Sequence, residues 1–214
     1  MVDPGTAPAA PARSHARAAS RVQGGLEAAV AQARAAPPDR PVEVWAEDEH
    51  RLGLKPLRRR VWAPIGERPI ALGHHRYQWL HVTAFVQPTS GEAVWFLSTG
   101  LSKRLFEALL AAFARETGAG RARHILLVLD NAGWHGPKGL AVPDGVTLVF
   151  LPPYSPELQP AERLWPLVDE PVINRHFATL DDLDAAVAER CRRLDPAAIR
   201  PHTSCHVRFQ ETWT

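Results

Sequence analysis

Cysteine is nearly absent from this sequence: Cys191 and Cys205 are the only two, and neither stands in a C-x-x-C or other metal-ligand spacing. A disulfide framework and a thiolate zinc site are excluded on that ground, and two reduced thiols in a cytoplasmic setting are expected. Long apolar runs are missing too. No stretch approaches the roughly 18 uninterrupted apolar residues of a membrane span, and no compact hydrophobic run follows a basic start. Neither a span nor a signal peptide is therefore expected. Net charge is also scarce, +2 over 214 residues, and the excess comes from residues 1–40, where five arginines face Asp3, Glu27 and Asp39. Without a global positive field, any nucleic acid would have to be held by a local patch.

What the chain does have is apolar residues, 45% of the total, enough for one globular domain with a sizeable core. Residues 1–20 are rich in Ala, Pro and Arg without hydrophobic periodicity, and they are expected to be disordered. Residues 21–40 read as a short helix over 22–36 and a linker at Pro37-Pro38. From 41 the pattern changes. VEVWAED (42–48) alternates like a buried strand, with Val42, Val44, Ala46 and Asp48 on one face. WLHVTAFVQ (79–87) and EAVWFLS (92–98) read as two strands around the turn PTSG.

Ser102 is placed to cap a helix over 103–117, whose Leu105, Phe106, Leu109, Leu110 and Phe113 recur at helical spacing. HILLVLD (124–130) and GVTLVFL (145–151) are near-continuous apolar runs, as expected of strands covered on both faces. Thr179 and Asp182 open a last helix over about 180–194, with Leu180, Leu183, Val187, Cys191 and Leu194 as its stripe. Strands first, then alternating helices and strands, predict an α/β fold, a mixed sheet flanked by helices.

Three acids stand where chemistry gathers in such folds. Asp48 and Asp130 end the two strongest apolar strands, although an aspartate there also serves as an ordinary turn cap. Glu162 follows LPPYSPELQP, in which Pro152, Pro153 and Pro156 restrict the approach and Pro160 suits the first helical position. Gln159 then falls at the cap, with Glu162 at the third helical position and Leu164 and Trp165 turned inward. An acid near a helix start is also simply favoured by the dipole. Three carboxylates without a Cys or His quartet suit a hard cation, Mg²⁺ or Mn²⁺.

The motifs AEDEHRLGL, VWAPIGERP, VLDNAGWHGPK and LPPYSPELQPAERLW, in this order, resemble the catalytic half of bacterial transposases of the insertion sequence 630 family, relatives of the mariner elements among the DDE transposases. The resemblance runs from about Pro41 to Leu194. It implies an RNase H-like catalytic domain over 41–195, followed by a tail over 196–214. It also implies Asp48, Asp130 and Glu162 as a catalytic triad holding two Mg²⁺ (or Mn²⁺) ions, for DNA cleavage and strand transfer in transposition. Asn131 and His135 match the family motif as supports of the second aspartate or of a phosphate, although a lone histidine is more often a structural residue. Lys55, Arg58, Arg59, Arg60 and Arg68, with Trp62, lie where mariner relatives have a loop contacting DNA or a partner subunit; a charge run is usually a solvated face, but this placement favours contact with the DNA backbone. Trp79, Trp95 and Trp134 are assigned to the core.

The partners implied are DNA (the element's terminal repeats and its target), a second copy of the chain, and an N-terminal helix-turn-helix region that is separately encoded or joined by frameshifting. The first forty residues are too short and too rich in Pro and Ala for two such modules. The setting implied is the bacterial cytoplasm at the nucleoid, with no membrane. Two competing readings are an inactive remnant that only binds DNA or protein, and a generic RNase H-like nuclease.

Overall fold

Val42–Gly53 forms strand β1, and everything else is arranged around it. In the computed structural model the described residues are Ala28, 40–70, 72, 76–130, 132–135, 139–151 and 159–203. The expectations for 1–20 and 22–36, Asn131 and the end of the tail lie outside them, as does the side chain of Trp134. β1 continues to Gly53, beyond the expected end at Asp48, because Leu52 pairs with Leu80 and is buried. Trp79–Val86 (β2) and Ala93–Ser98 (β3) complete an antiparallel half. His124–Leu129 (β4) and Val146–Phe150 (β5) extend the sheet from the other side of β1 in parallel. The order β3-β2-β1-β4-β5 is the RNase H-like arrangement.

Helix α1, Lys103–Thr117, lies between the two halves in sequence. The Ser102 hydroxyl accepts from the Leu105 N–H as its cap, and Gly118, at φ 72°, ends it in the left-handed conformation that glycine adopts without a Cβ clash. Its Phe106, Leu110 and Phe113 pack on one face of the sheet against Trp45, Phe85, Leu127 and Leu129. Phe113 stacks on Phe85 at 4.3 Å and meets Trp45 edge-on at 5.2 Å. Removing such a ring costs about 3–5 kcal/mol.

The opposite face is covered by a 3-10 turn, Ala161–Leu164, and three helices, α2 Trp165–Asp169, α3 Leu180–Arg193 and α4 Pro196–Thr203. Leu164, Trp165, Val168, Leu183, Val187 and Ile199 fill the layer beneath them, over Ala46, Val82 and Ala84. The capping box of α3 is present in full, with Thr179 and Asp182 bonding each other's backbone N–H.

α4 falls where only a tail was expected. Thr203 Oγ1 donates to Pro88 O, and a Cβ on Gly91 (φ 81°) would lie 2.3 Å from Pro196 O, so the β2–β3 turn and α4 are in backbone contact. The packed domain therefore extends past residue 195. Among the described residues no helix is long and apolar enough to cross a membrane.

Candidate active site

Side chains of consecutive strand residues point to opposite faces, so Glu47-Asp48-Glu49 sends one acid towards α2 and two towards α1. Asp48 is met by Trp165, whose Nε1–H donates to Oδ2 at 2.8 Å. Two residues on, His50 stacks on the same indole at 4.9 Å, and its Nε2 lies 2.8 Å from Asp169 Oδ1. The Glu162 carboxyl lies within hydrogen-bonding reach of Asp48. Burial, followed by that neighbouring carboxyl, outweighs the Trp165 donor and pushes Asp48 up to about 8.

The local chain explains how Glu162 gets there. Pro160 takes helical angles, φ −63° and ψ −34°, but acts as the cap of a 3-10 turn, with Glu162 at its second position and not the third of an α-helix. Gln159 pins this turn to β1: its buried amide donates to the Glu47 carbonyl at 2.8 Å. Leu164 and Trp165 point inward as expected, and Glu162 stays exposed.

Asp130 follows β4 directly. The β1–β4 ladder pairs Ala46 with Val128, so Asp130 stands two positions further along, level with Asp48 on the neighbouring parallel strand. Its Oδ1 accepts from the Ala132 N–H at 2.8 Å and from His135 Nδ1 at 2.9 Å. Among the described residues its Oδ2 has no hydrogen bond. The His135 bond, with the Ala132 N–H, holds the Asp130 carboxyl below its usual range.

His135 ends a 3-10 turn, Gly133–His135, and is buried against the Phe106 ring at 4.3 Å. Its Nε2 faces Glu49 Oε1 at 3.1 Å and Glu47 Oε2 at 3.5 Å. Burial opposes a charge on this ring, yet the bonds to Asp130 and Glu49 and the nearby carboxylates win, and its pKa is pushed up to about 10. Glu47 is 0% exposed with no hydrogen bond to either side-chain oxygen, and burial, then Glu49, drives it well above the carboxylate range.

The predicted residues thus separate into groups. Asp48 and Glu162 are in contact, Asp130 directly follows the adjacent strand, and His135 holds Asp130. Glu47 and Glu49 were not singled out in the sequence; their signal was the acid pair flanking Asp48 at the end of an apolar strand. Glu47, Glu49 and His135 together offer ligand atoms within 4.8 Å of one another.

The predicted basic residues Lys55, Arg58, Arg59, Arg60 and Arg68 lie on the exposed segment between β1 and β2. Arg59 is already engaged: it pairs with Glu170 at 2.9 Å, and its backbone N–H and C=O are both bonded by the Asn174 side chain at 2.9 Å. Trp62 is 103% exposed, with Ile65, Ile70 and Tyr77 also exposed nearby. Trp79 and Trp95 are only partly buried, and Arg51 lies over the Trp79 ring at 4.4 Å.

Over 106 residues the chain is 37% identical to the uncharacterized protein y4pE/y4sA of Sinorhizobium fredii (strain NBRC 101917 / NGR234), covering 49% of this chain and 77% of that protein. The catalytic domain of Mos1 mariner transposase is similar in structure, with TM-score 0.57 at 14% identity, over 92% of this chain and 90% of that chain. The Mos1 paired end complexes with Mn and with Mg give TM-score 0.58 at 15% identity over 100% of this chain. This chain spans only 64% and 63% of those two. At such identities the likeness establishes the fold, the five-stranded mixed sheet with helices on both faces. Sequence establishes the family: residues 43–184 match the family described as DDE superfamily endonuclease, and the chain belongs to it.

Proposed function

We propose that this chain is the catalytic domain of a transposase of the insertion sequence 630 type, cleaving DNA and joining the freed 3′-hydroxyl to target DNA by phosphoryl transfer. The observation that carries the reading is the meeting of Asp48 and Glu162 from distant parts of the chain, with Asp130 at the end of the next strand. The donors fit a hard divalent cation, Mg²⁺ or Mn²⁺. They are carboxylate oxygens, one of them (Asp130 Oδ2) unengaged among the described residues, and burial, with the neighbouring Glu162 carboxyl, raises Asp48 to about 8. Asp48, Asp130 and Glu162 would hold two such ions. Bound there, they supply Lewis acidity and a water or hydroxyl nucleophile at neutral pH.

The chain's own residues set the stage. Trp165 fixes one oxygen of Asp48, and Gln159 fixes the turn that bears Glu162. His135 and the Ala132 N–H support Asp130, and Asn131 is read as a further support. Lys55, Arg58, Arg60 and Arg68 are exposed cations suited to phosphate contacts, which position DNA without reading its sequence. Arg59 is read with them, once released from Glu170. DNA bearing the element's ends, a target, a second copy of the chain and a helix-turn-helix region complete the set of partners, in the bacterial cytoplasm.

The test is a cleavage and joining assay with purified protein, Mg²⁺ or Mn²⁺, and DNA carrying the repeats that flank its own locus. Metal-dependent nicking and joining, reduced at least about 10³-fold in Asp48→Asn, Asp130→Asn and Glu162→Gln, is expected. Activity that survives all three substitutions would sink the reading. Hydrolysis of any duplex without joining would point instead to a generic nuclease.

A further inference from the structure

β4 ends at Leu129, so Asp130 has left the sheet, and its carboxyl is 53% exposed. An exposed carboxylate normally turns freely, and ordering it has an entropic cost. Here the hydrogen bonds made by described residues fall on Oδ1, from the Ala132 N–H and from His135, and among those residues Oδ2 accepts none. The turn backbone supplies the first bond. The second depends on the orientation of the His135 ring, which is buried to 1% and packed on Phe106.

On the Asp130 side the ring meets that carboxyl through Nδ1. The fixing group is on the far side. Glu49, on the neighbouring strand β1, presents Oε1 to Nε2 at 3.1 Å, and its side chain is 7% exposed. With a carboxylate oxygen within hydrogen-bonding distance of each ring nitrogen, the ring is held between two acids, and a 180° flip would put carbon where each nitrogen now stands. Glu47 stands 3.5 Å from the same nitrogen and makes no hydrogen bond. A continuous chain therefore runs from the α1 face of the central strand, through the imidazole, to an acid at the strand ends.

We infer that Glu49 is a positioning residue: acting through His135, it fixes the Asp130 carboxyl so that Oδ2 is presented to the metal. This rests on the reading that Asp48, Asp130 and Glu162 are metal ligands. Groups that orient a ligand in this way typically change metal affinity or activity 10–100-fold when removed.

The test uses the full chain and Mn²⁺, read by electron paramagnetic resonance without DNA and by the Mn²⁺ dependence of cleavage. Glu49→Gln is expected to raise the Mn²⁺ needed for half-saturation about 10–100-fold, with the maximal cleavage rate largely recovered at high Mn²⁺. His135→Asn retains a donor towards Asp130, so it should shift less than His135→Ala. Adding Glu49→Gln to His135→Ala should cost nothing further, since the chain is already cut. A merely structural role would lower the melting temperature and the active fraction but leave the Mn²⁺ midpoint in place. If Glu49→Gln fails to fold, Glu49→Asp, which keeps the charge but withdraws it from Nε2, should raise the same midpoint, and an unchanged midpoint would overturn the inference.

Half-saturation within twofold of wild type in Glu49→Gln, or fully additive losses in the double variant, would overturn the inference alone. A wild type that neither binds Mn²⁺ nor cleaves would overturn the parent reading as well. If Asp48→Asn combined with Glu162→Gln still bound Mn²⁺ in a Glu49-dependent way, Glu47, Glu49 and His135 would themselves be the ligands, and the positioning role would fall.

Discussion

Asp48 sits where its charge is least welcome without a metal, and the consequence reaches beyond catalysis. Its folded pKa of about 8 stands above the ordinary 3.8, so between those values the folded protein binds a proton that the unfolded chain has lost. Stability of the metal-free protein should therefore fall as pH rises from about 4 through about 8. His135 has the same sign: held near 10 against 6.5, its contribution is complete below 6.5 and disappears as pH passes about 10. Asp48→Asn removes the first of these. The variant should be inactive yet more stable at neutral pH by about 1 kcal/mol, which is about 2–4 °C for a chain of this size. Thermal unfolding in chelator across pH 4–9 checks it; an unchanged slope in the variant would contradict the assignment. Saturating Mn²⁺ should stabilise wild type but not the variant.

At the scale of elements, the 3-10 turn Ala161–Leu164 depends on one amide. Gln159→Met keeps the volume but leaves the buried Glu47 carbonyl without its donor, a loss of about 1–3 kcal/mol. Cleavage should fall with it, because Glu162 rides on that turn; full activity with wild-type melting would show that the prolines alone aim the carboxyl. Strands and long helices were legible in the sequence because alternation and the 3.6-residue period are local: Ser102 and Thr179 announce α1 and α3 outright. The three acids proposed as the triad were picked out from strand ends and from motifs. Other parts were not. The acid pair flanking Asp48 was the one local signal for Glu47 and Glu49; their burial was not legible, because their environment is made by Phe106 and His135, far along the chain. α4 was missed because Pro201 and a short apolar stripe carry little helical signal; its place is fixed by Ile199 and by contact with the β2–β3 turn.

For the molecule as a whole, the segment between β1 and β2 stands out as exposed cations and large apolar side chains, on a chain whose net charge is only +2. Arg58→Glu, Arg60→Glu and Arg68→Glu should weaken DNA binding evenly across sequences and flatten the salt dependence by about one unit for each phosphate no longer neutralised. Filter binding over a range of salt concentrations checks this, and an unchanged slope would place the DNA elsewhere. Arg59→Glu should behave differently, since it first breaks the pair with Glu170.

The central strand carries acid on three successive residues, and this bears on how errors are tolerated. A slip of β1 by one residue would still show a carboxylate to each face, so charge is a poor proofreader of its alignment. Bulk is the proofreader: Trp45 fills the α1 side and Ala46 the crowded opposite side, and exchanging them would push an indole under Leu164 and Val168. A misaligned strand is thus rejected by the packing of its neighbours before its chemistry is ever tried.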